Sequence, residues 1–505
     1  MPKGQRDSSA RDPLPPYSRK ALNSGLLTPG AVSETHMPDS GVTEAINWNF
    51  DVIGSAKLRR GLTTVGSNLG SQILGMHYHV DTINASPKSQ LIVVAGTAAY
   101  YLNGANFVSI RAGLTGGKKA RFQTYLNFAF MVNGADATEI WDGDTGGGFV
   151  STGNALNAPT GQYIENFRAR MWIAGNSNKP DRLYYSSVPS SISTPIITWN
   201  TSDTTGQWLD ISPSDGDTIT GLQRFRNVLI VFKTNHLYRV FDIAQSDADP
   251  YYAVGTSSQE SVVETKTGIF FHHSSGFYQY NVYGMVQEIS RPIIDIVRAI
   301  PVSQYSGISG WLEADQDHIV WSLGDVTVNG VSYTNLCVRY TISTQVWTHY
   351  SYGYNICVAI RRQPLFTDNS TQYALVGDTT GLVFKANTGL TDNGKPIVYS
   401  LIHRWETVDG LLSTRKTAMV GNFSHYGGTG STVAYQTEKN DPDATNDWTE
   451  KIGQLGQINT GFNTMNIKAR KFRFRLFGKS TGQPFVYNGY ELLGVTPEFI
   501  QFPSK

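Results

Sequence analysis

The sequence predicts an all-β protein: a β-propeller with an extended N-terminal arm before it and a second β-rich segment after it. Three observations lead to this prediction. The 505 residues include 50 Gly, 26 Tyr and 23 Phe, a composition that favours strands and tight turns. The chain is too long for one ordinary core. Apolar strand pairs return at intervals of roughly 40–50 residues, which is the spacing of propeller blades.

The N-terminal segment, residues 1–45, is predicted to form an extended arm. It is polar and carries prolines at positions 13, 15, 16, 29 and 38. Such a composition cannot bury enough apolar surface to fold alone. We therefore expect the arm to become ordered only against a neighbour.

The stretch WNFDVIGSAKLRRGL, residues 48–62, is interpreted as the start of the first blade. It begins with strand-like alternation and then places Lys57, Arg59 and Arg60 beside Gly61. Isolated basic triplets are more often surface charges than phosphate sites. We predict that these three side chains are surface or interface charges.

Seven apolar hairpins define the predicted propeller, residues 46–392. Each combines an apolar strand, a tight polar or glycine turn and a second strand rich in Tyr and Phe. Their first strands lie at or near Leu91, Ala129, Met171, Val228, Gly268, Ile319 and Tyr373. Because both strands of each hairpin are apolar, both faces must be covered, as adjacent blades do for one another.

One short helix is predicted inside this region, over RPIIDIVRAIP, residues 291–301. Ile293, Ile294, Val297 and Ile300 share one face at helical spacing. A proline at the second position suits a first helical turn, and the proline at the end stops the helix. We expect this helix to cap a blade.

The C-terminal segment, residues 393–505, is predicted to form either a β-sandwich or the closing blades. Its run KARKFRFRLF alternates cleanly: one face carries aromatic and aliphatic side chains, and the other carries Lys471, Arg473 and Arg475. The basic face is either a solvated strand face or a stripe on a subunit interface or facing DNA.

Charge and cysteine content bound the class of protein. The formal net charge is +1, so the whole chain has no strong field for nucleic acid. Two cysteines, Cys337 and Cys357, cannot form a disulfide framework and are predicted to be buried free thiols, as in a reducing cytoplasm. The N-terminus lacks the apolar core of a signal peptide, and no apolar run approaches a bilayer span.

Several groups of polar residues match part of the pattern of a metal or phosphate site. His77, His79 and Asp81 share a strand face but lack a fourth zinc ligand nearby in sequence. His272 and His273 point to opposite faces. Asp142-Gly143-Asp144 opens like a calcium loop but lacks the later acidic ligands, and Gly478-Lys479-Ser480 lacks the earlier glycine of a phosphate loop. We interpret these groups as structural.

One cluster of carboxylates is compatible with acid–base chemistry. Glu313, Asp315 and Asp317 share one face if the segment is extended. A polar face before a buried strand is the commoner use of such a run. The residues alone therefore favour a structural or binding role.

Four segments together resemble the tail hub or nozzle proteins of short-tailed bacteriophages, the family that includes the tail accessory protein of phage P22. LRRGLTTVG (58–66) is similar to a segment leading into the family's first blade, with Arg60 where proline is usual. The segment VLIVFKTNHLYRVFD (228–242) resembles the family's central strand pair. The segment MVQEISRPIIDIVRAIP (285–301) resembles the family's helix after a blade. The segment RKFRFRLFGKS (470–480) resembles the family's last basic-aromatic strand. The resemblance covers residues 50–500 by order and architecture.

The resemblance implies a structural virion protein that is not an enzyme and uses no cofactor or metal. Such a protein assembles in the host cytoplasm as a homohexameric ring below the portal and its adaptor, next to tail fibres or spikes. In the tail it continues the DNA channel, retains the packaged genome and opens for ejection. The alternative is a glycan-binding or glycan-degrading propeller like a tailspike. The degrading form needs paired carboxylates at the propeller centre, and the sequence has no repeated Asp-box.

Overall fold

The computed structural model of the chain consists mainly of antiparallel strands. It describes residues 16–19, 22–33, 36–81, 88–143, 148–151, 157–189, 197–247, 250–361, 373–407, 414–418, 420–437, 450–462, 465, 467–469, 471–480, 482–493 and 495–499. Structural statements below refer to these residues. Among them, no helix combines the length and apolar character needed to cross a membrane.

Six strands precede the first complete blade. They are β1 (Tyr17–Arg19), β2 (Gly25–Leu26), β3 (Gly41–Ile46), β4 (Trp48–Val52), β5 (Ser55–Leu58) and β6 (Leu62–Val65). The first five belong to the sheets of a C-terminal sandwich, and β6 belongs to the propeller.

Seven groups of four antiparallel strands follow, named here blades 1 to 7 in chain order. Blade 1 contains β7 (Ile73–Asp81), β8 (Lys88–Ala95), β9 (Ala98–Asn103) and β10 (Asn106–Ala112). Blade 2 contains β11 (Arg121–Tyr125), β12 (Phe128–Val132), β13 (Glu139–Trp141) and β14 (Val150–Ser151). Blade 3 contains β15 (Tyr163–Phe167), β16 (Arg170–Ala174), β17 (Arg182–Tyr185) and β18 (Trp208–Asp210).

The remaining blades repeat this order. Blade 4 contains β19 (Ile219–Phe225), β20 (Val228–Lys233), β21 (Leu237–Asp242) and β22 (Gln245–Ser246). Blade 5 contains β23 (Val263–Glu264), β24 (Gly268–His273), β25 (Gly276–Asn281) and β26 (Val286–Glu288). Blade 6 contains β27 (Ser309–Leu312), β28 (His318–Val328), β29 (Val331–Thr341) and β30 (Val346–Ser351). Blade 7 contains β31 (Ile356–Arg361), β32 (Ala374–Asp378), β33 (Val383–Ala386) and β6.

The predicted propeller is confirmed, and each of the seven predicted hairpins is the middle pair of strands in one blade. Seven separate apolar cores lie between adjacent blades, including the core between blades 7 and 1. Trp172, for example, is fully buried between blades 3 and 4. A fully buried large apolar side chain contributes roughly 2–3 kcal/mol, so the ring is held by the sum of these interfaces.

The ring is closed by a strand from the N-terminal part of the chain. β6 pairs antiparallel with β33, so that Leu62 lies opposite Ala386 and Val65 opposite Val383. This pairing gives blade 7 its fourth strand. The inner strands β31 and β7 of the last and first blades are in contact, which completes the circle.

The C-terminal strands form a sandwich. They are β34 (Val398–His403), β35 (Thr414–Ala418), β36 (Val420–Tyr426), β37 (Thr432–Thr437), β38 (Glu450–Gln454), β39 (Ile458–Phe462), β40 (Ile467–Ala469), β41 (Phe472–Lys479), β42 (Val486–Leu493) and β43 (Thr496–Phe499). One sheet has the order β39-β36-β42-β5-β4, with β1 paired to β42. The other has the order β3-β34-β41-β37-β38, with β2 paired to β3, and it continues from the four strands of blade 6 through β30, which makes a ten-stranded sheet.

Both ends of the chain fill the core between these two sheets. It contains Trp48 from β4 and Leu22, together with the inward side chains of β41, Phe472, Phe474 and Leu476. Small strands β35, β40 and β43 form a third sheet. The modules are therefore continuous: the sixth blade runs directly into the sandwich without a linker between them.

This arrangement corrects the predicted boundaries at the N-terminus. The described part of the expected arm is not free, because Leu22, Leu26 and Val42 are buried. The stretch at 48–62 is not the start of the first blade, because β4 and β5 lie in the sandwich and the strand that follows closes blade 7. Residues 1–15 of the predicted arm lie outside the described part of the chain.

The predicted short helix is present. A 3₁₀ turn at Arg291–Ile293 leads into α1 (Ile294–Ala299), and 3₁₀ turns also occur at Gln259–Ser261 and Val302–Gly307. Its apolar face packs on blade 6. Both cysteines are free and buried, as predicted. Burial raises the pKa of the Cys337 thiol to about 12 and that of Cys357 to about 11.

Candidate functional site

Arg59 belongs to the ring closure and not to a surface. Its side chain is 1% exposed and forms a salt bridge with Asp392, whose side chain is 3% exposed. Arg59 donates to both carboxylate oxygens, at 2.8 and 2.6 Å, and to Asn47 at 2.7 Å. Its guanidinium also lies 4.2 Å from the centre of the Tyr352 ring. We call Arg59 and Asp392 the closure pair.

The prediction for Arg59 as a surface or interface charge is therefore wrong. Burial disfavours its charge, but the hydrogen bonds and the charge of Asp392 outweigh burial and raise the pKa of Arg59 above its ordinary value. Lys57 and Arg60, in contrast, are exposed. The acid that makes the difference is distant in sequence, so no local pattern distinguishes Arg59 from its neighbours.

A glycine next to the closure pair explains why this contact is possible. A Cβ on Gly61 would lie 1.8 Å from the carbonyl oxygen of Thr391. The backbone amide of Leu62 donates to that same oxygen at 3.1 Å. Only a residue without a side chain allows the two segments to approach this closely.

A second polar group joins the sandwich to blade 6. Asp51 of β4 lies 3.1 Å from Nε2 of His318 and accepts a hydrogen bond from Arg339 at 2.9 Å. His318 also contacts Asp315 through Nδ1, and Arg339 Nε lies 3.5 Å from Glu313. We call these five residues the junction network.

The junction network changes the ionisation of its members. Burial opposes a charge on His318, but hydrogen bonds to Asp315 and Asp51 outweigh it and raise its pKa to about 9. Burial also opposes the charge of Asp51, and here the His318 and Arg339 partners hold the pKa well below its usual value. Burial raises the pKa of Glu313. The network is therefore a set of mutually compensating charges.

The three acidic residues of the 313–317 segment take part in two separate sets of contacts. Glu313 and Asp315 are in the junction network, whereas Asp317 accepts hydrogen bonds from the backbone amide and hydroxyl of Ser343. The ligand-type atoms of Glu313, Asp315 and His318 lie within 4.8 Å of one another. Because the Arg339 cation already faces Glu313, the geometry is that of an ion-pair network.

The basic strand predicted near the C-terminus lines a cleft between the modules. In β41, the aromatic and aliphatic side chains face the sandwich core, and Arg473 and Arg475 face the other way. Lys471 lies directly before this strand. Lys471 and Arg473 lie 4.8 and 4.6 Å from the ring centre of Trp405. Arg475 donates to Ser400 at 2.9 Å and lies 3.7 Å from Glu44.

The cleft has a volume of about 590 Å³ and lies where the ten-stranded sheet leaves blade 6 for the sandwich. Arg473 and Arg475 line it together with Glu44, Tyr333 and His349. Sequence reasoning missed the last three, which lie in different strands. The only available signal was the alternation of β41, which identifies a polar face but not the element that covers it.

His77, His79 and His272, which were not predicted to bind a metal, contact other side chains of the propeller. His77 stacks on Phe122, and both His77 and His79 contact the hydroxyl of Thr124 in blade 2. Burial lowers the pKa of His77 to about 3. His272 packs edge-on against two aromatic rings, and burial lowers its pKa to about 3. The side chain of Asp81 lies outside the described part.

The two glycine motifs have no site geometry that the structure describes. The Gly478-Lys479-Ser480 run lies at the end of β41. The Ser480 hydroxyl accepts a hydrogen bond from the backbone amide of Ile397, so this run ends a strand. In the Asp142-Gly143-Asp144 motif, residues 144–147 lie outside the described part of the chain.

Comparison with models of protein families and with curated proteins gives no match. Among solved structures, the chain is similar to the extracellular domain of a hybrid two-component system from B. thetaiotaomicron, with a TM-score of 0.42 and 10% identity over 74% of this chain and 45% of that one. It is also similar to the WD40 domain of Neurospora crassa Pan2, with a TM-score of 0.39 and 6% identity over 65% of this chain and 97% of that one. The chain is also similar to Saccharomyces cerevisiae Sqt1, with a TM-score of 0.39 and 9% identity over 65% of this chain and 99% of that one.

The chain thus spans less than half of the first of these proteins. The assignment of a seven-bladed propeller does not depend on these similarities. It follows from the strand order of the seven blades, the closure by β6 and the apolar core between each adjacent pair of blades.

Proposed function

We propose that this chain is a structural subunit of the tail hub or nozzle of a short-tailed bacteriophage. Six copies would form a ring below the portal and its adaptor, bind tail fibres or spikes and surround the DNA channel. The ring would hold the packaged genome in the virion and open for ejection. The subunit would assemble in the host cytoplasm and act without a catalytic centre.

The observation that carries this proposal is the continuous ten-stranded sheet. It joins blade 6 to the sandwich through the pairing of β30 with β3, so the two modules form one block. Arg339 and His318 of blade 6 reinforce the same joint by contacting Asp51 of the sandwich. A block of this kind suits a subunit that must keep its shape under the load of a packaged genome.

Two further features support the same role. The net charge of +1 suits a conduit through which DNA has to slide, because a strongly basic wall would retain it. The order of the segments that resemble the tail hub family agrees with a chain built from blades followed by a basic-aromatic strand. The cations of the closure pair and the junction network are compensated within the chain, so they add little to the surface field.

The copy number of the chain in purified phage particles tests this proposal. Quantitative mass spectrometry gives the ratio of this chain to portal protein. A fixed ratio of about one half is expected for a hexameric ring on a twelve-fold portal. Absence of the chain from particles would contradict the proposal. Depolymerisation of host polysaccharide by the purified chain would favour the tailspike-like alternative instead.

A further inference from the structure

Three consecutive blades present a basic side chain at the same turn. In blades 3, 4 and 5 a short turn joins the first strand to the second, and the exposed cations Arg168, Arg226 and Lys266 lie in these turns. Residues in or next to the first strands of all seven blades line one central space, so turns that follow these strands lie on one face of the propeller. We call Arg168, Arg226 and Lys266 the basic rim.

A belt of polar contacts holds the three turns side by side. Asn166 of blade 3 donates to the backbone carbonyl of Thr124 in blade 2 at 3.3 Å and accepts from Arg224 of blade 4 at 2.6 Å. Gln223 of blade 4 donates to Glu264 of blade 5 at 2.9 Å. Asn166, Arg224 and Glu264 each lie two residues before a member of the basic rim. The rim residues therefore lie at the same level of adjacent blades.

Two rim residues have a backbone conformation that arginine rarely adopts. The φ angle is +49° at Arg168 and +54° at Arg226, in the left-handed region that glycine and asparagine enter more readily. Each arginine directly follows a phenylalanine, and its guanidinium lies 5.6 Å from the centre of that ring. Local folding therefore does not favour arginine in either turn. Strained positions of this kind are concentrated at functional sites.

The charge of the basic rim is not compensated by the described residues, in which none of its three side chains forms a salt bridge or a hydrogen bond. The nearby acids have other partners. Glu264 faces the Arg224 cation, and Asp242 accepts from a backbone amide of its own turn at 2.8 Å. Glu165 accepts a hydrogen bond from Gln123, and burial raises its pKa to about 7. The rim is therefore a local excess of positive charge on a chain of low net charge.

We propose that the basic rim contacts the phosphate backbone of double-stranded DNA, a choice of partner that rests on the proposed role in the tail. Guanidinium and ammonium groups form charge-assisted hydrogen bonds with phosphate oxygens. Single cations on adjacent turns contact an extended polyanion at several points and read no base sequence. A few such contacts bind weakly and depend strongly on salt. The rim would therefore orient this face of the propeller towards the DNA and still allow the DNA to slide.

Fluorescence anisotropy of labelled duplex DNA with the full chain, at several salt concentrations, tests this inference. For one bound copy with three phosphate contacts, the logarithm of the association constant should fall with that of the salt concentration with a slope of about −2.7. Two duplexes of unrelated sequence should bind equally. No binding by the folded chain at about 50 mM salt, or a strong preference for one sequence, would overturn the inference.

Three variants locate the contact. Arg168→Asn and Arg226→Asn remove the charge and suit the left-handed backbone, so each should raise the melting temperature and reduce the magnitude of the salt slope by about 0.9. Lys266→Gln should reduce the slope by the same amount. The matched control is Lys118→Gln, an exposed cation that precedes the first strand of blade 2 and so lies on the opposite face. Circular dichroism verifies that each variant is folded.

The outcomes separate this inference from the proposed role. An unchanged slope in the folded triple variant, or an equal change in Lys118→Gln, would contradict the basic rim even if the chain is present in phage particles. Loss of the slope in the triple variant would support the rim even if the chain is absent from particles. Poly-glutamate at equal charge concentration should displace little DNA, because duplex DNA has the higher charge density. Full displacement would indicate an acidic protein surface and would overturn the assignment to DNA.

Discussion

The closure pair and the junction network join distant parts of the chain by opposite means. The closure pair is one bidentate contact with almost no exposure, in which Arg59 has all its partners inside the protein. The junction network spreads five charges over two modules and includes the half-exposed Asp315. The comparison teaches that the ring is closed by a fixed contact, whereas the joint between modules contains groups that can titrate.

Removing one member of the closure pair should have the largest effect. Asp392→Ala leaves the Arg59 cation buried without its partner, which is expected to lower the free energy of unfolding by about 3–5 kcal/mol. Urea unfolding followed by fluorescence measures the loss. Arg60→Ala, which alters an exposed neighbour, should change stability by less than about 0.5 kcal/mol. Comparable losses in both variants would remove the distinction between Arg59 and Arg60.

The junction network should make stability depend on pH in the alkaline range. The pKa of His318 is about 9 in the folded chain, against an ordinary value of 6.5. A raised pKa stabilises the fold fully below pH 6.5, and this contribution is lost as the pH rises through 9. The loss should reach about 3 kcal/mol. Asp51, Asp315, Glu313 and Arg339 face the ring and set this pKa.

Unfolding free energies measured between pH 6 and 10 test this prediction. His318→Asn should flatten the profile in that window. His36→Asn is the control, because His36 is an exposed residue of another segment, and it should leave the profile of the parent chain intact. A profile that keeps its alkaline slope in the His318 variant would contradict the role given to the network.

The closure of the ring also depends on a close approach of two backbone segments at Gly61. Its Ala variant would place a methyl group 1.8 Å from the Thr391 carbonyl oxygen, so the strand that closes the ring must shift. The expected loss is about 1–3 kcal/mol. Gly307→Ala is the matched control, since a Cβ there meets nothing within 4 Å. Thermal unfolding of the two variants measures the difference, and equal melting temperatures would show that the approach is not tight.

The smallest effect is expected at the edge of the cleft. Lys471→Ala removes an ammonium group 4.8 Å from the Trp405 ring, a contact that contributes about 0.5–1 kcal/mol at partly exposed sites. Urea unfolding should show a loss within this range. A loss as large as that of Asp392→Ala would mean that the cleft edge, and not the closure pair, limits stability.

The blades could be predicted from the sequence because their hairpins are local. VLIVFKTNHLYRVFD contains both strands and the turn of the blade 4 hairpin, and the structure pairs Leu229 with Val240 in β20 and β21. Alternation likewise identified the two faces of β41. These patterns depend on neighbours within about fifteen residues, for which the period of a strand is sufficient.

The contacts across the chain could not be predicted in this way. Leu62 pairs with Ala386, and nothing near residue 62 indicates which blade lacks a strand. Arg59 has the appearance of a surface charge until Asp392 is placed beside it. His349 lies in an ordinary strand, and only the pairing of β30 with β3 brings it to the cleft. Closure, burial of charge and the shape of the cleft are all products of non-local pairing.

Hydrogen exchange of the backbone amides of β6 tests the central claim most directly. If β6 is the fourth strand of blade 7, held by the closure pair, those amides of residues 62–65 that point towards β33 should exchange as slowly as the amides of β33 that point towards β6. In Asp392→Ala they should lose this protection before the middle strands of blades 2 to 4 do. Rapid exchange of residues 62–65 in the parent chain would contradict the closure of the ring by this strand.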